Sequence, residues 1–139
     1  MSATLEDFRH FMEEREAAAR AYVEGDAAPL AELIAERQPA SFFPPGGGRV
    51  EGAPEVAVRY TRDAQAFGGG ETHFEILHLA ASGELAWWVG LQHAKAKVGD
   101  APWRPMSLRI TELFRHENGG WKLVHRHADA LADEPSSKA

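Results

Sequence analysis

From Leu5 the apolar positions recur at helical spacing: Leu5, Phe8, Met12, Ala19 and Tyr22. Thr4-Leu5-Glu6-Asp7 resembles a capping box, so the pattern predicts a first helix from about Thr4 to Glu24, ended by Gly25. Asp26 can cap a second, short helix carrying Leu30, Leu33 and Ile34, which Pro39 stops. From Pro39 to Gly52 no period holds. Pro44-Pro45 and then Gly46-Gly47-Gly48 predict an irregular segment, and the adjacent Phe42 and Phe43 point to a loop folded over something apolar. Pro54 suits the first turn of a third helix. Its buried face is spaced by Val56, Tyr60 and Phe67, and Gly68-Gly69-Gly70 ends it.

Beyond Gly70 the pattern becomes strand-like. HFEILHLA, LAWWVGLQHA, SLRITELFRH and WKLVHRHA are rich in Val, Ile, Trp, Phe and Leu. Turn signals separate them: Ser82-Gly83, Gly99-Asp100 with Pro102 and Pro105, and Asn118-Gly119. Three helices followed by antiparallel strands is an α+β order within one domain, residues 1–129, and no internal repeat is present. The tail, 130–139, has no core pattern and is expected to fray. Leu85-Ala86-Trp87-Trp88-Val89-Gly90-Leu91 is apolar on both faces, as in a sheet covered twice. The helices can cover one face. A second copy of the chain is the economical cover for the other, so a homodimer through the outer sheet face is expected.

Composition narrows the function classes. At 139 residues one domain is expected, large enough to bury a core without disulfides. Lys+Arg 15 against Asp+Glu 21 gives a formal charge of −6, which opposes a phosphate backbone, so no nucleic-acid partner is expected. The absence of cysteine excludes disulfide scaffolds, thiolate zinc sites and Cys nucleophiles, and fits a reducing compartment. No apolar run approaches the ~20 residues that span a bilayer. The charged, periodic start MSATLEDFRHFMEE lacks the apolar region of a signal peptide. A soluble, cytoplasmic protein with no membrane partner is therefore expected. Gly46-Gly47-Gly48 lacks the Lys-Ser/Thr that follows in a phosphate loop, no Gly-x-Ser-x-Gly elbow occurs, and no organic cofactor is implied.

This order of elements, and the stretch GELAWWVG…SLRITELFRHENGGWKLVHRHAD, resembles the nuclear transport factor 2-like superfamily, most closely its SnoaL-like branch. The specific parts are the Gly-acidic-Leu-Ala start of one strand and the Asn-Gly-Gly-Trp hairpin ending in His-Arg-His-Ala-Asp. The helical half matches more loosely, through the Gly25-Asp26 junction and the segment from Gly52 to Phe67. The resemblance implies a cone-shaped α+β barrel, a curved antiparallel sheet wrapped around helices, with one deep pocket and frequent homodimerisation through the sheet. The superfamily holds isomerases, cyclases, epoxide hydrolases, a kinase association domain and transport adaptors, so function must be argued from the site.

The hairpin at Asn118-Gly119 reads as a two-residue type I′ turn that sets register. Glu117 then pairs with Gly120, His116 with Trp121 and Phe114 with Leu123. Continuing, Glu112 faces His125 and Ile110 faces His127. Ile110, Phe114, Trp121 and Leu123 mark the core side, so Glu112, His125 and His127 are expected to point inward. An inward Glu beside an inward His has the outline of a general acid/base pair. It reads equally as a hydrogen-bonded pair that only fixes register. A three-residue Asn-Gly-Gly turn would instead put Leu113 opposite His125.

In the catalytic reading His125 is the acid or base, Glu112 orients it or shares its proton, and His127 bonds a substrate oxygen. Phe42, Phe43, Trp88, Ile110 and Phe114 would then line the substrate site. Trp87 would face outward, as would Arg109 and Arg126, while Gln92 and His93 could exchange faces. His125 and His127 could join Glu112 at a metal, but a zinc site wants three or four ligands, so none is expected. The resemblance places one oxyanion-hole acid of ketosteroid isomerases on the strand face of Leu108, Ile110 and Glu112, and a pocket arginine of the kinase association domain at the place of Glu112. The isomerase's proton-shuttling aspartate falls where this chain reads Phe42-Phe43-Pro44-Pro45, and its first-helix tyrosine falls near Ala18, so isomerisation of that type is not implied. The expected function is a small-molecule pocket. It would serve acid/base isomerisation, cyclisation or hydration of a mostly apolar substrate, or else non-catalytic ligand binding or dimerisation.

Overall fold

The structure, a computed structural model, describes residues 5–132. Its elements run α1 (Leu5–Val23), α2 (Ala28–Leu33), β1 (Ser41–Phe43), β2 (Val50–Glu51), α3 (Ala53–Ala64), β3 (Phe67–Ser82), β4 (Leu85–Val98), β5 (Arg104–Glu117) and β6 (Gly120–Ala130). Thr4 of the expected capping box and the tail from 133 onward lie outside the described residues. α1 buries Phe8, Phe11, Met12, Arg15, Ala18, Ala19 and Val23, a stripe at three- and four-residue spacing. Asp26 Oδ1 accepts the Ala28 N–H at 3.0 Å as the chain enters α2, where Pro29 sits in the first turn.

The sheet order is β2-β1-β6-β5-β4-β3. It is mixed rather than antiparallel throughout, because β1 runs parallel to β6 while the other pairs are antiparallel. The segment expected to be irregular thus supplies two short strands. Pro44 and Gly46 to Gly48 confine them to three and two residues, too few to show an alternation. α3 ends at Ala64, and Phe67 begins β3 instead of extending the helix. The glycines that were expected to end α3 serve the strand. A Cβ on Gly70 would stand 2.9 Å from the Lys95 carbonyl oxygen, so glycine lets β3 close onto β4 there.

Two bulges interrupt the β3–β4 ladder, one between Phe67 and Gly70 and one between Ile76 and His78. Opposite the second, a Cβ on Gly90 would lie 2.1 Å from the Glu75 carbonyl oxygen. Bulges and close glycine contacts bend long strands, and the sheet curls around the helices without closing. Phe8 of α1 meets Phe114 at 5.3 Å and Trp121 at 5.4 Å between ring centroids. This cluster fills the end of the molecule near the β5–β6 turn and leaves the other end for a cavity.

Candidate active-site cavity

The hairpin turn is as read: Asn118 and Gly119 have φ of 52° and 81°, and Glu117 pairs with Gly120. Register then departs from the expected one. Phe114 pairs with Leu123, but Leu113 pairs with His125, leaving Val124 as an extra residue on β6. This bulge flips every following side chain. His125 and His127 therefore stand opposite Leu113 and Thr111 on the outer face, and Arg126 stands opposite Glu112 on the inner one. The expected Glu112–His125 pair is not formed, and the expected outward Arg126 points inward. Arg109 does lie on the outer face, paired with Asp129 at 2.7 Å and 2.8 Å.

Glu112 is fully buried. Its Oε1 accepts Arg15 Nε at 3.0 Å and Trp88 Nε1 at 2.8 Å, and its Oε2 accepts Arg15 Nη2 at 2.7 Å and Arg126 Nη1 at 2.6 Å. Arg126 Nη2 donates to Gln92 Oε1 at 2.6 Å, and Gln92 Nε2 donates to Thr72 Oγ1 at 3.1 Å. Burial alone would raise the Glu112 carboxyl, but Arg15 and Arg126 outweigh it and hold it at about 2. Glu112 is an ionised anchor for two guanidinium groups, with both oxygens occupied.

Above this network lies a cavity of about 320 Å³. α1 contributes Arg15, Ala19, Tyr22 and Val23; α2 contributes Leu30; α3 contributes Tyr60 and Asp63. The sheet side supplies Phe42, Gln92, Ala94, Met106, Leu108 and Arg126. Its walls are mainly apolar and its floor is the arginine–glutamate network. Burial pushes the hydroxyls of Tyr60 and Tyr22 well above their ordinary range, so both stay protonated donors. Asp63 at the rim is held by Arg59 at 2.8 Å, with Arg62 at 3.6 Å.

Of the expected ligand-contacting residues, Phe42 lines this cavity. Trp88 is fully buried and serves the site through its bond to Glu112, while Trp87 is exposed on the opposite face. Ile110 and Phe114 are buried core residues that do not line the cavity. Phe43 is exposed on the outer face, edge-on to His125 at 4.8 Å and His127 at 5.5 Å. A strand alternates its faces, so two adjacent phenylalanines cannot both line one site. His125 Nδ1 and Ser41 Oγ share a hydrogen bond of 2.7 Å; burial and then His127 lower the His125 pKa. Gln92 faces inward, and His93 faces outward between Ser107 at 3.0 Å and Glu75 at 2.8 Å.

Arg15, Arg126, Gln92 and Tyr60 complete the site. Arg15 carries a readable signal, because a charge sits on the apolar stripe of α1 between Met12 and Ala19. Arg126 has none short of the bulge, since no Gly or Pro marks Val124.

The sequence matches the SnoaL-like domain family over residues 15–133, nearly the whole chain. The chain belongs to the SnoaL-like family. Solved structures of the nuclear transport factor 2-like superfamily share its fold. A candidate dehydratase of that family from Streptomyces avermitilis superposes with a TM-score of 0.78 at 19% identity, covering 93% of this chain and 99% of the other. A superfamily protein from Salmonella enterica gives 0.77 at 17% identity, over 94% and 95%. A ketosteroid isomerase-like protein from Erwinia carotovora gives 0.71 at 15% identity, over 87% and 93%. A search of curated proteins returned no match. At such identities these solved structures carry the fold and no particular reaction.

Proposed function

We propose that this SnoaL-like chain binds a small, mostly apolar molecule in the cavity between α1, α3 and the inner sheet face. The observation that carries the reading is the combination of apolar walls with a convergent polar floor, the usual composition of a ligand site. Glu112 serves this pocket as a structural anion. With both oxygens taken and its charge fixed, it offers no free position for accepting a substrate proton. Glu112 and His125 lie on opposite faces of the sheet, so they do not act together in isomerisation, cyclisation or hydration.

The test is binding of aminoanthracene, a neutral apolar fluorophore, to the native chain and to Leu108→Trp, in which the larger ring fills the cavity. The reading expects enhanced, blue-shifted emission with the native chain and its loss in the variant. Equal binding by the variant would refute it.

We also propose that two copies associate through the outer sheet face. Leu85, Trp87, Leu113 and Phe43 are all exposed there, and an interface between copies would bury them.

A further inference from the structure

The floor of the cavity holds two guanidinium groups against one carboxylate. Arg15 and Arg126 both bond Glu112, and all three are buried. The cluster therefore carries one uncompensated positive charge beside a cavity whose walls are mainly apolar. Asp63 does not supply the balance, since it sits at the rim under Arg59 and Arg62. Buried charges are ordinarily matched, because an unmatched one in low dielectric is costly.

Two donors on cavity-lining residues are also unmatched. Among the described residues, Arg15 Nη1 and Tyr60 Oη are buried without a hydrogen-bond partner, in residues only 2% and 3% exposed. An unpaired buried donor costs roughly 1–3 kcal/mol, so such groups call for an acceptor. A water molecule could satisfy the donors but leaves the charge. One group satisfies both: a carboxylate, whose two oxygens can accept from a guanidinium N–H and a phenol at once.

We propose that the ligand of this cavity is a monoanionic apolar carboxylic acid, its carboxylate seated between Arg15 Nη1 and the Tyr60 hydroxyl and its hydrocarbon part against Phe42 and Leu108. The inference rests on the cavity being the ligand site. Burial keeps Tyr60 protonated, as a donor to a carboxylate must be. Glu112 stays ionised to about 2, so the charge of the floor does not vary near neutral pH.

The experiment is displacement of bound aminoanthracene by matched pairs: hexanoate and hexanol, octanoate and octanol, benzoate and benzyl alcohol, phenylpropionate and phenylpropanol. The inference expects the acid of the best-fitting pair to displace the probe at least about tenfold more strongly than its alcohol, the scale of a hydrogen bond to a charged group. Tyr60→Phe removes only an unpartnered hydroxyl and keeps the ring stacked on Phe42, so the variant should fold. It should lower the acid's affinity about tenfold and leave the alcohol's nearly unchanged. Alcohols matching acids in every pair, or no acid displacing the probe, would overturn the carboxylate assignment and leave the cavity reading intact. Probe binding that persists unchanged in Leu108→Trp would instead remove the cavity reading, and the assignment with it.

Discussion

Glu112 is the charge on which two buried arginines depend. Glu112→Gln keeps the shape and removes the charge, so Arg15 and Arg126 lose their counterion. The expected cost is about 3–5 kcal/mol, measured by chemical denaturation against the native chain. The pH dependence has a definite sign. The Glu112 carboxyl falls from an ordinary 4.5 to about 2 on folding, so its stabilising contribution, about 3 kcal/mol, is complete above 4.5 and is lost as pH falls towards 2. His125 is also depressed, so its contribution is present above about 6.5 and is lost below that. Stability should therefore decline in two stages on acidification, and His125→Gln should remove the earlier one while leaving the later. A single decline unchanged by the substitution would contradict this. Glu112 was legible as an inward carboxylate from the Phe114–Leu123 pairing. Its pairing with two arginines was not, because Arg15 comes from a helix distant in sequence and Arg126 from beyond a bulge.

Among the elements, the hairpin of β5 and β6 shows what a sequence can and cannot say about a sheet. Asn118-Gly119 dictates the turn, and the nearest pairs follow from it. One unannounced residue, Val124, then inverts the faces of everything after it. No local chemistry marks that bulge. It puts Arg126 and Ala128 on the inner face against the core, while β1 pairs along the edge of β6 from His125 to His127. Phe43 and β1 were hidden for a related reason, since a three-residue strand beside Pro44 has no period to detect. The β3–β4 pair has a clear signature in Gly90. A methyl there would meet the Glu75 carbonyl, so Gly90→Ala should lower the urea midpoint by the equivalent of about 1–3 kcal/mol or more. An unchanged midpoint would mean that the strands separate easily at the bulge.

At the scale of the whole molecule, the order of three helices before a long meander was legible because periodicity switches once, near Gly70. The parallel β1 and the open, curled sheet were not, since both depend on pairings between distant segments. No helix among the described residues is long and apolar enough to cross a membrane. The outer face, with Trp87 and Leu113 exposed beside His125 and His127, is where a second copy is proposed to bind. Trp87→Glu with Leu113→Glu should halve the mass seen by light scattering at micromolar concentration while leaving probe binding in the cavity intact. A native chain that is already monomeric would remove this proposal without touching the cavity.

Ligand is proposed to bind over the Arg15–Glu112–Arg126 floor. The decisive measurement follows side-chain arginine and backbone signals in proton–nitrogen correlation spectra during titration with octanoate. Binding there should shift the Nε–H signals of Arg15 and Arg126 together with the amides of Ala19, Phe42 and Leu108, with one saturation curve for all. Shifts confined to the outer face, at Phe43, His125 and His127, with both arginine signals unmoved, would contradict it.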